Sequence, residues 1–204
     1  MTSLLALSAD ELLDAFASSN PTPGGGSAAA LSGALAAALV EMVSGLPKTR
    51  TGTPEEREKL DAARASAAKA GARLRELVDL DTDAYNAVTA AYKLPKATDD
   101  EKAARSEAIA AAMRQATDVP LETCERSAEV LRAAAQALAH GNANAASDAR
   151  TAIALCRAAL DAGAENVRAN VTSPSIATQA PLLLARLETI RAPLESMLAN
   201  PSRK

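Results

Sequence analysis

The chain has 204 residues, of which 48% are hydrophobic, yet it contains only one phenylalanine, two tyrosines and no tryptophan. This length fits one domain, predicted over residues 1–204, with a core built mainly from alanine, leucine and valine. The 22 basic and 25 acidic residues give a net charge of −3, and no segment combines Lys and Arg with aromatic residues, so nucleic acid is not an expected partner.

The composition indicates a helical protein. Alanine is the best helix former, and runs of β-branched residues with the length of a strand are missing. We therefore predict an all-α class, with a short N-terminal helix and about five longer ones. Cys124 and Cys156 are too few for a disulfide framework, which indicates a reduced compartment and a cytoplasmic location. Met1–Ala9 lacks the pattern of a signal peptide.

The N-terminal quarter contains two predicted helices separated by a glycine-rich loop. Ser8 can cap a helix that runs to about Ser18. Asn20–Ser27 has the composition of an extended loop that opens into an alanine-rich helix ending near Gly45. Polar residues and glycines interrupt the most apolar stretch, Ala28–Leu46, so we expect a buried central helix and no membrane partner.

Two long helices are predicted next. Thr53–Glu56 supplies a cap, a proline in the first turn and a capping glutamate, and begins a helix that runs toward Tyr92. Thr98–Glu101 begins the following helix. Pro120 falls inside its pattern, so we predict a kink or break near Asp118.

The C-terminal part is predicted to contain the remaining helices. The interrupted helix resumes to about Ala139. A helix from about Asn144 to Gly163 follows, with a shorter continuation through Asn170. A last helix is predicted over Pro174–Leu198.

Asp81 is the first candidate for chemistry, because it lies within an apolar stripe. With about 100° of rotation per residue, it shares one face of its helix with six apolar or aromatic residues, whereas Asp79 and Asp83 lie on the other side. An ionised carboxylate in that position must be hydrogen bonded or take up a proton more readily. Asp81 is therefore a candidate acid or base. The stripe consists of Leu74, Leu77, Val78, Tyr85, Val88 and Tyr92.

The run Gly24, Gly25, Gly26 and Ser27 precedes the alanine-rich helix and carries backbone N–H groups without obstructing side chains. A helix N-terminus of this kind can bind a carboxylate or phosphate. The run is neither a Walker loop nor a Rossmann fingerprint. Its glycines can equally serve only to let two helices pack closely, and spacing alone leaves the two interpretations even.

Polar residues near the third and fourth predicted long helices are further candidates. Asp148 shares a helix face with Asn144, where capping of the helix start is favoured over a role in catalysis. Asn166 and Asn170 lie one turn apart and either share a polar pocket or mark a fraying helix end, which is favoured. One histidine, His140, excludes a metal site made of histidines.

Tyr85, Tyr92 and Lys96 are candidates near Asp81. The two tyrosines share its helix face, which suits stacking against a planar ring, although core packing is the expected role of Tyr92. Lys96 follows a helix end, where it can meet an anionic ligand or the helix dipole.

Several short blocks together resemble the cyclodeaminase/cyclohydrolase family that acts on tetrahydrofolate. They fall in the family's order from about Leu12 to Leu198, and their combination is specific although each one alone is weak. The blocks are Pro23–Ser27, Val78–Asp81, Ala84–Ala87, Leu94–Thr98, Glu101–Lys102, Gly141–Asn144, Ser147–Asp148 and Ala164–Val167 with Asn170.

The resemblance implies a bundle of five to six long, mostly antiparallel helices, a homodimer, and a folate substrate with no further cofactor. One branch converts 5-formimidoyltetrahydrofolate to 5,10-methenyltetrahydrofolate with loss of ammonia. The other, found as free-standing proteins, hydrolyses 5,10-methenyltetrahydrofolate to 10-formyltetrahydrofolate. We expect the second activity, with the first as the alternative and a non-catalytic folate-binding oligomer as a further one.

The resemblance also implies roles for the candidate residues. Family proteins assign proton acceptance to an aspartate in the block matched by Asp79–Tyr85, and the stripe selects Asp81 as the general base. Asp148 is suited to accept hydrogen bonds from the pterin. The glycine run and Lys96 are suited to the glutamate tail of the substrate.

Overall fold

A computed structural model describes residues 3–199, and within them the chain forms six α-helices and three short 3₁₀ turns. The predicted domain also includes residues 1–2 and 200–204, which lie outside the described residues. The all-α class is confirmed. The helices are α1 (Ala9–Ala17), α2 (Gly25–Gly45), α3 (Pro54–Tyr92), α4 (Asp99–His140), α5 (Ala146–Asn170) and α6 (Ala180–Ala199).

The predicted helix starts are confirmed where a side chain caps the first turn. The side chains of Ser8, Thr53 and Thr98 each accept a hydrogen bond from the backbone N–H three residues later. Ser8 and Thr98 belong to complete capping boxes, in which the glutamate at that third position bonds back to the cap. Each such cap stabilises its helix by about 1 kcal/mol.

The predicted break near Asp118 is wrong, because α4 continues through Pro120 from Asp99 to His140; the alternative, a kink, stays a prediction. Proline has no N–H to donate to the carbonyl four residues earlier, which is that of Ala116. The side-chain amide of Asn170 donates to this carbonyl at 2.7 Å. A side chain from α5 thus replaces the missing backbone bond and satisfies the partly buried acceptor.

Three other helix boundaries differ from the predictions. Gly25–Ser27, predicted as loop, form the first turn of α2. Gly163 does not end a helix, because the missing side chain lets α5 approach α4: an added Cβ would lie 2.7 Å from the Cys124 sulfur. Pro174–Ile176 form a separate 3₁₀ turn, anchored by the buried Ile176, so that α6 begins only at Ala180.

Helices α2 to α5 form a bundle in which α2 packs against the other three. Helices α2 and α3 run antiparallel, since Gly33 meets Leu74 and Gly45 meets Arg64. An added Cβ at Gly71 of α3 would lie 2.7 Å from the Cβ of Ala37, so small residues set the separation of these helices. Helix α6 covers α4 and α5.

The bundle leaves a trough at the end where α2 begins. Helices α3 and α5 flank α2 on opposite sides, and both continue beyond Gly25, as does α4. We call the space beyond the start of α2 the trough, and we assign to it the segments that extend past this point: residues 81–92 of α3, residues 105–116 of α4, and the last turn of α5 with the residues that follow it, 166–173. Helix α2 does not fill it, and Tyr85 and Tyr92 on its α3 wall are 45% and 50% exposed.

Candidate active site

Asp81 of α3 meets the first turn of α2 at the head of the trough. Its Oδ2 accepts a hydrogen bond from the backbone N–H of Ser27 at 2.8 Å and another from the Ser27 hydroxyl, with Oγ and Oδ2 3.1 Å apart. Ser27 is fully buried, and its hydroxyl also lies 3.4 Å from that of Thr82. The carboxylate therefore occupies the anion-binding position at the N-terminus of α2.

Glycine is required at position 26 for this contact. An added Cβ there would overlap the Asp81 carboxyl group, whereas one at Gly25 would lie 3.6 Å from the side-chain nitrogen of Asn166, an ordinary contact. Gly24 takes the N-cap position with extended backbone. The close-packing interpretation of the glycine run is therefore supported at Gly26, and the interpretation as a site for a ligand anion stays a prediction.

The two oxygens of Asp81 differ in their surroundings. Oδ2 is held by Ser27, whereas Oδ1 accepts no hydrogen bond from the described residues and keeps some contact with solvent. Burial raises the pKa of Asp81, and the two hydrogen bonds from Ser27 lower it by less. The carboxyl group therefore takes up a proton more readily than an exposed aspartate.

The neighbouring aspartates have other environments. Asp79 accepts a hydrogen bond from the backbone N–H of Leu4 at 2.8 Å, which ties the N-terminal 3₁₀ turn to α3. Asp83 is exposed. Of the three carboxylates in this block, Asp81 is the one at the trough.

Besides Gly26 and Ser27, the predicted site residues nearest Asp81 are Tyr85 and Asn166. Tyr85 lies one turn further along α3 and is 45% exposed. Asn166 faces Gly25 across the head of the trough and donates its amide to the carbonyl of Ala162. Asn170 lies one turn further along α5, and its amide is committed to α4 at Ala116.

Tyr92 was expected in the core, but this expectation is wrong. It is half exposed, and the Arg105 guanidinium lies over its ring with 5.5 Å between Cζ and the ring centroid. The reason is its place in the last turn of α3, where α2 is no longer alongside to cover it.

Three of the predicted site residues lie away from Asp81 within one chain. Lys96 is exposed beyond the end of α3. Asn144 and Asp148 lie at the start of α5, at the opposite end of the bundle from Asn166. Asp148 and Asn166 are eighteen residues apart on one helix, a separation of about 27 Å.

The sequence profile of the Formiminotransferase-cyclodeaminase family matches residues 8–186 of this chain. The chain belongs to this family. The resemblance deduced from the sequence blocks is thereby confirmed. The match begins at the cap of α1 and extends into α6, so it includes the glycine run, Asp81 and the whole trough.

Individual relatives carry two kinds of name. A methenyltetrahydrofolate cyclohydrolase from Methylorubrum extorquens is 42% identical over 161 residues, which cover 79% of this chain and 77% of the relative. A formimidoyltransferase-cyclodeaminase from Sus scrofa is 32% identical over 197 residues, and the matched region covers 86% of this chain but only 36% of that protein. The chain therefore corresponds to about a third of the porcine protein.

A solved structure has the same fold. The crystal structure of a formiminotetrahydrofolate cyclodeaminase from Thermotoga maritima superposes with a TM-score of 0.84, at 27% sequence identity, over 97% of this chain and 95% of the other. The helical bundle is therefore shared with a family member across nearly its full length.

Replacing Gly26 tests the contact between α2 and Asp81. In Gly26→Ala the methyl group would overlap the Asp81 carboxyl group, and we expect a loss of about 1–3 kcal/mol in the free energy of unfolding. Helix propensity alone would favour alanine by about 1 kcal/mol, so Gly25→Ala, which has room for the methyl group, is the control. Urea denaturation measures both. A Gly26→Ala protein as stable as the Gly25→Ala control would contradict the packing described.

Proposed function

We propose that this protein hydrolyses 5,10-methenyltetrahydrofolate to 10-formyltetrahydrofolate, with Asp81 as the general base. The observation that carries the proposal is the arrangement of the Asp81 carboxyl group, which is desolvated, fixed through one oxygen and free at the other. The relative from Methylorubrum extorquens bears the name of this activity and includes most of the chain in its match.

The chemistry requires a proton acceptor beside the reacting carbon. Water adds to the methenyl carbon that bridges N5 and N10, while Oδ1 of Asp81 takes one of its protons. A tetrahedral carbon bearing a hydroxyl group results. The bond from this carbon to N5 then breaks, N5 becomes N–H, and loss of the hydroxyl proton leaves the formyl group on N10. One proton is released in total, as the positive charge of the substrate requires.

The surroundings of Asp81 suit this role. A general base must be ionised yet basic enough to accept a proton, and partial burial moves the pKa of the carboxyl group in that direction. The Ser27 bonds hold the carboxylate in one orientation, so that its free oxygen has a fixed position. Tyr85, one turn away, offers an exposed ring for the planar parts of the folate. The reaction consumes folate and water, with no further cofactor.

Formation of the methenyl compound from 5-formimidoyltetrahydrofolate is the second candidate. The names of the Thermotoga maritima structure and of the Sus scrofa relative favour it. This reaction passes through the same bridged tetrahedral carbon, and Asp81 would take the proton from N10 as the ring closes. The two reactions are distinguished by ammonia, which only the cyclodeaminase releases. A binding protein without turnover would give neither product.

We infer that the protein acts as a homodimer through the outer face of α2. Leu35 and Met42 on this face are 53% and 43% exposed, and Leu31 and Leu39 beside them are only partly buried. By length and composition α2 could cross a membrane, but 56% of its most apolar window is buried inside the bundle. A second copy of the chain would cover the remainder.

The dimer would also give a role to Asn144 and Asp148. Leu35 is the midpoint of α2, and a twofold axis there would pair the two α2 helices antiparallel. The start of α5 in one subunit would then lie at the same end as Asp81 of the other. The partner's Asp148 would then be available to the pterin. Asp148 of the same chain is too far away for this role, because it lies about 27 Å along α5 from Asn166.

The cytoplasm is the compartment we propose. Cys124 and Cys156 are free and buried. Burial raises the pKa of each thiol to about 12, so they remain protonated and serve as small apolar core residues. Free thiols of this kind are typical of proteins from reducing compartments.

The proposed activity predicts a loss of turnover on removal of the Asp81 charge. Asp81→Asn should keep the fold but slow the bleaching of the methenyl absorbance by about 100-fold or more, the usual contribution of a general base. Asp83→Asn, which removes an exposed carboxylate two residues away, is the matched control and should retain full activity. Unchanged turnover in folded Asp81→Asn would rule out the proposed role. Ammonia assays with 5-formimidoyltetrahydrofolate, run in parallel, distinguish the second reaction.

A charge placed on the outer face of α2 should dissociate the proposed homodimer. Leu35→Glu should halve the mass measured by sedimentation, because a buried charge at the twofold axis would face its own copy. Its turnover should fall with the mass, since the partner's Asp148 would be lost from each site. Leu182→Glu, at a leucine of α6 that is 72% exposed, is the control. Wild-type protein that sediments as a monomer would contradict the dimer.

A further inference from the structure

Helix α1 is amphipathic, but its own bundle leaves much of its apolar face uncovered. No residue of α1 is buried, and Leu13 is 66% exposed. With about 100° of rotation per residue, the apolar and the acidic side chains fall on opposite sides of this helix. The apolar side carries Ala9, Leu12, Leu13 and Phe16, and the acidic side carries Asp10, Glu11 and Asp14.

The segment that contains α1 is anchored at the outer edge of the bundle, beside the start of α2. The backbone N–H of Leu4 donates to Asp79 of α3 at 2.8 Å, and Gly24 is the N-cap of α2. On α3, Gly71 faces α2 and Arg73 faces α4. Asp79 lies about 80° beyond Gly71, outside the arc between these two contacts. Helix α1 therefore lies next to the exposed face of α2, on the side of α3.

The exposed face of α2 is small for a stable dimer. Leu35 and Met42 are 53% and 43% exposed, and Leu31 and Leu39 are mostly covered. Four partly covered side chains fall well short of the about 800 Å² that each partner of a stable complex covers. The proposed dimer therefore needs a further apolar surface, and α1 lies at the margin of its interface.

A twofold axis at Leu35 determines what α1 would face. When two α2 helices pair antiparallel about this axis, the α3 side of one meets the α3 side of the other. Positions at equal distances on either side of Leu35 come level, so Ser27 lies opposite residue 43 of the second copy. Near that level of α2, Arg64 of α3 lies against Gly45. Helix α1 of one subunit would thus lie beside the partner's Met42 and the partner's Arg64.

The charges of these two surfaces are complementary. Helix α1 carries three carboxylates and no basic residue. Arg64 is exposed and forms no ion pair with a carboxylate of residues 3–199, whereas Arg57, two turns earlier on α3, is paired with Asp61. An acidic helix and an unpaired guanidinium would therefore meet across the interface.

We propose that α1 is an arm that packs onto a second copy of this chain. Its exposed Leu13 contacts the partner's α2 near the partner's Met42, and its acidic side faces the partner's Arg64. This inference rests on the homodimer of the proposed function and adds two symmetric contacts to it. Leu12 and Phe16, which are less exposed than Leu13, hold the arm against its own subunit.

The first test measures the dimer dissociation constant of Leu13→Glu by sedimentation equilibrium. The constant should rise about tenfold or more, because each dimer loses the burial of two leucine side chains. Leu182→Glu, at a leucine of α6 that is 72% exposed, is the matched control and should dimerise like the wild type. Thermal melting verifies that each variant is folded.

A charge exchange tests the partner side of the contact. Asp14→Lys and Arg64→Glu should each weaken the dimer, because like charges would face one another. The double variant should recover most of the lost affinity, since the pair is restored with its signs exchanged. Recovery of this kind does not follow from separate local effects on α1 and α3, so a double variant as weak as the two single effects combined would overturn the inference.

The outcomes distinguish the arm from the dimer itself, and none of them requires turnover. If Leu35→Glu dissociates the protein while Leu13→Glu keeps the wild-type dissociation constant, the arm is overturned and the dimer stands. A wild-type monomer would overturn both. An increase in KM for Leu13→Glu with an unchanged dissociation constant would mean that α1 closes over the trough of its own subunit, which also overturns the arm.

Discussion

The site depends on the contact between the Asp81 carboxylate and the first turn of α2. This contact lies at the start of α2, where only glycine at position 26 leaves room for the carboxyl group. Helices α3, α4 and α5 continue past that point, and the trough follows from the difference in length. The same contact desolvates the carboxyl group and holds one of its oxygens. One packing interaction therefore lies at the head of the cleft and holds the carboxyl group that we propose as its general base.

The small residues that build the core have a consequence for chemistry as well as for packing. Alanine and glycine let the helices approach closely, as at Ala37 and Gly71, so few large side chains are available to shape a deep pocket. The protein instead gains a cleft because α2 does not extend as far as the neighbouring helices at the end where it begins. Polar groups on the walls of such a cleft follow the helix repeat, which arranges Asp81, Tyr85 and Tyr92 along one line suited to a long, thin ligand.

The sequence predicted those features of the fold and the site that depend on neighbouring residues in the chain. Helix starts at Ser8, Thr53 and Thr98 follow from caps, and the placement of Asp81 follows from helical periodicity. It could not predict what depends on contacts between distant segments. Pro120 does not break α4 because Asn170, fifty residues later, supplies the missing donor. The hydrogen bonds from Ser27 to Asp81 likewise join two separate helices, and no spacing pattern in the chain signals them.

Proton acceptance by Asp81, as proposed, depends on its partly buried environment. It is tested most directly by following the Asp81 carboxyl carbon by NMR between low and neutral pH, assigned through Asp81→Asn, beside the pH dependence of kcat/KM. We expect the pKa of Asp81 to lie above the ordinary value of 3.8. We also expect kcat/KM to fall at the same pH, as acid protonates the base. Titration at or below 3.8, or a rate that does not follow the Asp81 signal, would contradict the proposed role of Asp81.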